Sequence, residues 1–155
     1  MNKANNEVLE KEQKAIEFIN NSNLKGAELI YRDLIQEGII TNSILSNLAA
    51  ICGMTGRNDE MLSILRKAIK INPNFSINHN NIGMALQRLG DLDGALQSYK
   101  TALKLRPDFA EAHNNIGLVF HKEGLVDMAI KSFKNAIKFN SKYFDALNNL
   151  GNSFT

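Results

Sequence analysis

An all-α solenoid of stacked antiparallel helix pairs is the fold the sequence predicts, on three observations. Residues recur at a step of 34 along nearly the whole chain, apolar residues within each step keep helical spacing, and glycine or proline interrupts the runs. Gly56, Gly90 and Gly124 keep the step, as do Tyr31, Leu65, Tyr99 and Phe133, and so do Leu34, Ala68, Ala102 and Ala136. Residues 76–109 and 110–143 share 12 identities in 34 aligned positions, so the period organises whole units rather than isolated residues.

The elements follow in order. Residues 1–7 read as an N-terminal tail, and residues 8–41 as a worn or capping repeat, with Ser22 where later units carry Gly and Lys14 where they carry Leu or Ile. Residues 42–75, 76–109 and 110–143 are complete repeats. In the second of these, Ile82, Ala85, Leu86 and Leu89 share one face of a first helix. Leu92, Ala95, Leu96, Tyr99, Ala102 and Leu103 share one face of a second. Gly90-Asp91 makes the turn between them, with Asp91 or Asp93 available to cap the second helix. Pro107 ends that helix, because proline cannot continue it and restricts the residue before it. Residues 144–155 open one more first helix. Each pair is too small to bury its own apolar face, so neighbours must stack.

Gly83, Gly117 and Gly151 fall inside first helices, where glycine costs about 1 kcal/mol relative to alanine. A cost repeated in register predicts close approach of two helix backbones, with Ala95 and Ala129 as the small partners. Phe18, Cys52, Leu86, Phe120 and Phe154 form the larger column beside them, which makes Cys52 a core thiol.

Composition narrows the function classes. With 18 Lys plus Arg against 16 Asp plus Glu, the net charge of +2 provides no polycation for nucleic acid and no polybasic arm for a membrane surface. One cysteine and three histidines give neither an internal disulfide nor a metal framework, so no cofactor is expected and a cytoplasmic setting is the default. The polar start, MNKANNEVLEKEQK, lacks the apolar stretch of a signal peptide. No run approaches the ~18 apolar residues of a membrane span.

The 34-residue unit, with N-N-I-G, then G-D-L-D-G-A, then Y-K-T-A-L-K-L-R-P, resembles the tetratricopeptide repeat over about residues 8–155, most specifically over 42–155. The resemblance implies a right-handed superhelix whose first helices line a concave groove, in a family of mainly protein-binding scaffolds. The large aromatic near the start of each unit is replaced here by Leu45, His79, His113 and Leu147. The A-H-N-N-I-G phrase is similar to the repeat arms of O-linked N-acetylglucosamine transferases, whose asparagine ladders hold extended peptides.

If the first helices line a groove, Asn47, Asn81, Asn115 and Asn149 form a column along it, with Asn80, Asn114 and Asn148 beside three of them. A carboxamide donates and accepts, matching a peptide bond. Alternatively, these groups cap or bridge neighbouring helices. Ile77, Met84 and Leu118 add apolar surface, and Gln87, Arg88, His121 and Lys122 follow as a mildly basic lip suited to an acidic or C-terminal segment. Glu111 and Asp145 stand near the helix starts. The carboxylate clamp of some family members needs Lys beside the Asn column, but that column reads Ser46, Asn80, Asn114, Asn148.

His79 and His113 are expected to fill the slot of the missing aromatic with one nitrogen bonded to backbone, rather than to hold metal. No nucleophile elbow, phosphate-cradling glycine loop or H-E-x-x-H occurs, so no catalysis is expected within these residues. Asp59, Asp93 and Asp127 are expected to cap second helices. At the end, Leu147, Leu150 and Phe154 are expected to leave apolar surface open, predicting a homodimer through that end and a longer parent polypeptide. The leading expectation is a protein–protein interaction scaffold binding a peptide or protein segment. The alternative is the substrate-recruiting arm of a larger glycosyl- or sulfotransferase.

Overall fold

The computed structural model describes residues 3–153. Among them lie the helices α1 (Lys3–Asn20), α2 (Leu24–Gln36), α3 (Asn42–Met54), α4 (Asn58–Ile71), α5 (Ser76–Leu89), α6 (Leu92–Leu105), α7 (Ala110–Lys122), α8 (Val126–Phe139) and α9 (Phe144–Asn152), with no strand. The architecture is an all-α helical repeat solenoid. Its helices divide between two compact units, one of α1–α4 (Met1–Pro73) and one of α5–α9 (Asn74–Thr155). No described helix is long and apolar enough to cross a membrane.

α1 begins at Lys3, inside the segment read as a tail. The sequence KANNEVLEK has no breaker to stop the helix from extending towards the N-terminus. Within each repeat the two helices are joined by a turn of two or three residues, which makes them antiparallel neighbours. Gly56, Gly90 and Gly124 take φ of +77°, +90° and +75° at these turns, a region that costs an L side chain energy. Ser22 occupies the corresponding place at φ +60° and turns the chain without glycine's freedom.

The Asp91 carboxylate accepts from Gly94 N at 2.9 Å and caps α6. Asp59, Asp93 and Asp127 lie instead in the first turns of α4, α6 and α8. There the helix dipole favours a carboxylate without a capping bond.

In the unit of α1–α4, Ala27, Tyr31, Leu34, Ile44, Ala49, Cys52, Leu65 and Ala68 are fully buried. Burial pushes the Cys52 thiol up to about 11, as a core position requires. In the unit of α5–α9, Ala95 and Tyr99 pack with Ile116 and Val119, and Ala102 packs with Phe109 and Ala112. Leu86 and Phe120 are only partly buried against the first of these clusters, and Phe154 lies outside the described residues.

The glycine column has a different reason from the one expected. A Cβ on Gly83 would come within 2.5 Å of Tyr99 Cε1, and one on Gly117 within 2.5 Å of Phe133 Cε1. The aromatic ring of the second helix, not a bare backbone opposite Ala95 or Ala129, occupies the space that glycine leaves. A flat ring lying on a helix needs a position without a side chain, which explains why the glycine and aromatic columns share the 34-residue step.

Candidate functional site

The positions 77, 80/81 and 84 lie three, four and seven residues apart, so α5 presents Ile77, Asn80, Asn81 and Met84 along one face. α7 brings Glu111 and Asn115 to the same place. The connection from α6 to α7 adds Arg106 and Phe109, and Tyr143 enters from the start of α9. Together they enclose a cleft of about 450 Å³. A second cleft of about 290 Å³ continues from it through the shared Met84 and Asn115, and is walled by Gln87, Arg88, Leu118 and Lys122. Ten of the residues singled out from the sequence therefore converge on one continuous surface of the α5–α9 unit.

The asparagines divide into two roles. Asn80 and Asn114 are only 4% and 3% exposed. The Oδ1 of Asn80 accepts from Asn115 Nδ2 at 3.1 Å, and that of Asn114 accepts from Asn149 Nδ2 at 3.0 Å. These bonds staple α5 to α7 and α7 to α9. Asn80 also directs its Nδ2 at Met84 Sδ, 3.7 Å away, which steadies a cleft-lining side chain. In the other unit, Asn47 donates to the Tyr31 hydroxyl at 3.1 Å. Bridging between neighbouring helices thus accounts for much of the column. Asn81 is the exception: half-buried on the cleft wall, its carboxamide has no hydrogen-bond partner among the described residues.

Gln87 accepts from the buried Tyr99 hydroxyl at 2.7 Å, fixing its carboxamide at the second cleft. Burial holds the Tyr99 hydroxyl well above the usual phenol range, so it stays a donor. One repeat later, Phe133 has no hydroxyl to offer, and His121 is exposed and lines neither cleft. Asn148 is likewise exposed and outside them.

Three cleft residues were not anticipated: Arg106, Phe109 and Tyr143. Phe75, Phe109 and Tyr143 stand 34 residues apart as the N-cap residues of α5, α7 and α9, a signal the repeat already contained. The Arg106 guanidinium lies 3.3 Å from the Phe109 ring centroid. Its Nε is buried without a hydrogen-bond partner among the described residues. Burial, together with the charges of Glu111 and Asp145, raises the Tyr143 hydroxyl above its ordinary range, so it too stays protonated. Apolar walls, neutral amides, one stacked cation and an exposed carboxylate suit reversible binding of a chain with both polar and apolar groups.

His113 stacks on Phe139, with centroids 5.3 Å apart, and its Nε2 donates to the Pro107 carbonyl at 3.0 Å. It fills an aromatic slot while one nitrogen is held by backbone. Among the described residues no three His, Cys, Asp or Glu side chains gather closely enough to hold a metal ion.

Family models described as tetratricopeptide repeat match residues 43–75, 64–97 and 110–143, and one described as TPR repeat matches residues 88–124. The matches overlap to span 43–143 without a gap. No curated protein matches by sequence. Among solved structures, the chain is similar to YrrB, described as a TPR protein with an unusual peptide-binding site, at TM-score 0.75 and 20% identity, covering 86% of this chain and 69% of that one. It is similar to the first TPR of Spaghetti (RPAP3) bound to the HSP90 peptide SRMEEVD, at TM-score 0.69 and 18% identity, covering 74% and 90%. A tetratricopeptide repeat protein from Parabacteroides merdae ATCC 43184 aligns at TM-score 0.73 and 22% identity, over 92% of this chain and 57% of that one. At these identities the likeness is one of fold.

Proposed function

The chain belongs to the tetratricopeptide repeat family, and from that premise we propose that it is a protein-interaction scaffold that binds a peptide segment along the α5–α7 face. Repeats of this kind are in general non-catalytic interaction modules. The observation that carries the reading is the pair of continuous clefts, with the unpartnered Asn81 carboxamide on the wall between apolar Ile77 and Met84. In this reading Asn81 pairs with a ligand peptide bond and the orphaned Arg106 Nε–H donates to a ligand carbonyl or carboxylate. Ile77, Met84 and Leu118 receive apolar side chains, and Arg88 and Lys122 favour acidic residues at the far end. Support also comes from YrrB and the first TPR of Spaghetti, whose descriptions name a peptide-binding site and a bound peptide.

The test is selection of binders from a random peptide display library, followed by calorimetry and chemical-shift mapping with the selected peptides. Selected peptides are expected to perturb the amides of Ile77, Asn81, Met84 and Asn115. Asn81→Ala is expected to weaken them ~5–10-fold, the value of one hydrogen bond of about 1 kcal/mol. This substitution removes no side-chain hydrogen bond among the described residues. Asn115→Ala, by contrast, strips Asn80 of its donor and confuses binding with stability. Shifts that fall on other helices, with affinity indifferent to Asn81→Ala, exclude this cleft.

A further inference from the structure

Arg106 is the C-cap residue of α6, where the equivalent residues of α4 and α8 are Asn72 and Asn140. The repeat therefore folds with a short neutral side chain at this place, and the cation is particular to one repeat. Arg32 and Arg57 both pair with Glu28 and Glu60. The Arg106 guanidinium instead rests on the Phe109 ring, with no hydrogen bond or ion pair to any described residue. Glu111, five residues on, lines the same cleft without pairing with it.

Stacking on a ring holds a guanidinium in place, so little side-chain freedom is lost when a ligand reaches it. A peptide carbonyl would accept one N–H and leave the charge uncompensated. A carboxylate accepts two N–H bonds at once and neutralises the charge. Of the residues lining the two clefts, Arg88, Arg106 and Lys122 are cationic and Glu111 alone is anionic. The cations are separated, because Arg106 lines only the first cleft and Arg88 and Lys122 only the second. The first cleft follows α5 from Ile77 to Met84 and the second from Met84 to Arg88. That whole path is about 16 Å at 1.5 Å per residue, which an extended chain covers in about five residues.

Resting on the peptide-binding reading above, we propose that the ligand is an internal acidic segment with two carboxylate side chains three to five positions apart. One Asp or Glu seats on Arg106, the other lies at Arg88 and Lys122, and apolar side chains between them pack on Met84. The determinant sits on the connection between two repeats, not in the first-helix column of Ser46, Asn80, Asn114 and Asn148. Side-chain carboxylates suffice, so the segment needs no free C-terminus. Glu111 opposes the first carboxylate by like-charge repulsion and limits its affinity.

The probe is a positional-scanning library of N-acetylated, C-amidated heptapeptides, titrated against the 155-residue chain. The tightest pools are expected to hold Asp or Glu at two positions three to five apart. In the peptide assembled from them, changing the acid that seats on Arg106 to its amide is expected to weaken binding at least ~10-fold. In Arg106→Asn that loss is expected to vanish, while the penalty for removing the second acid remains. Asn72 and Asn140 show that the repeat accepts asparagine here, and a melting curve like that of wild type checks that the fold is intact. Glu111→Gln, at an exposed position, is expected to tighten the acidic peptide ~2–5-fold. Cleft-binding peptides without acidic residues, an acidic preference unchanged by Arg106→Asn, or binding not tightened by Glu111→Gln overturns this inference and leaves the peptide-binding reading standing. A library without a binder, or chemical shifts that fall outside the cleft, overturns both.

Discussion

Ser22 shows how much one side chain can cost at a turn. It holds φ +60° where Gly56, Gly90 and Gly124 hold the same left-handed turn in later repeats. A left-handed residue with a Cβ is strained by roughly 1–2 kcal/mol, and glycine returns part of that gain as unfolded-chain entropy. Ser22→Gly is therefore expected to raise unfolding free energy by about 0.5–1 kcal/mol, read as a higher urea midpoint at unchanged slope. A lower midpoint would show that the serine side chain contributes more than the strain removes.

Between elements, α2 and α4 are tied by charges that the 34-residue period does not reveal. Arg57, the N-cap residue of α4, makes two bonds to the Glu28 carboxylate of α2, at 2.6 and 2.8 Å. Arg32 reaches both Glu28, at 2.7 Å, and Glu60, at 2.5 Å. Arg57's hydrogen bonds, opposed by partial burial and reinforced by Arg32, hold Glu28 down at about 2. A carboxyl whose folded pKa is depressed contributes stability that is fully present above its unfolded value near 4.5 and is lost as pH falls through 2. Thermal melts at pH 6, 4 and 2 are thus expected to show wild type more stable than Glu28→Gln at pH 6, with the two converging towards pH 2. With solvent screening the gap at pH 6 is about 1 kcal/mol. A gap independent of pH would make the loss one of packing rather than charge.

At the scale of the whole molecule, one register position acquires opposite consequences in different repeats. Gly83 lies under the Tyr99 ring, whereas a Cβ on Gly151 would meet none of the described residues within 4 Å. Gly83→Ala gains up to about 1 kcal/mol of helix propensity but forces a rigid ring to move, an overpacking cost of roughly 1–3 kcal/mol. It is expected to lower stability by about 1–2 kcal/mol. Gly151→Ala meets none of the described residues and is expected to stabilise α9 by up to about 1 kcal/mol. Circular dichroism melts of the two variants check the pair, and shifts of the same sign refute the packing argument.

Period and spacing predicted the helix pairs and their turns, and the tetratricopeptide resemblance pointed to the residues, from Ile77 and Met84 to Leu118, that lie together on one surface. Of the large apolar column, Cys52 is buried and Phe18, Leu86 and Phe120 are only partly so. A 34-residue recurrence leaves one way for amphipathic pairs to bury their faces, so local pattern and stacking coincide. Packing between elements settled the rest. The asparagine column divided into the staples of Asn80, Asn114, Asn115 and Asn149 and the unpartnered Asn81, because which carboxamide finds a neighbour depends on distances across helices. The glycine column was legible but its partner was not: the residue above Gly83 lies 16 positions away on another helix. Arg106, stacked on Phe109, joined the cleft through a connection whose path only the packed helices define. Recurrence along a chain identifies what kind of surface each residue shares, and three-dimensional contact determines which of those residues still has a free group to offer.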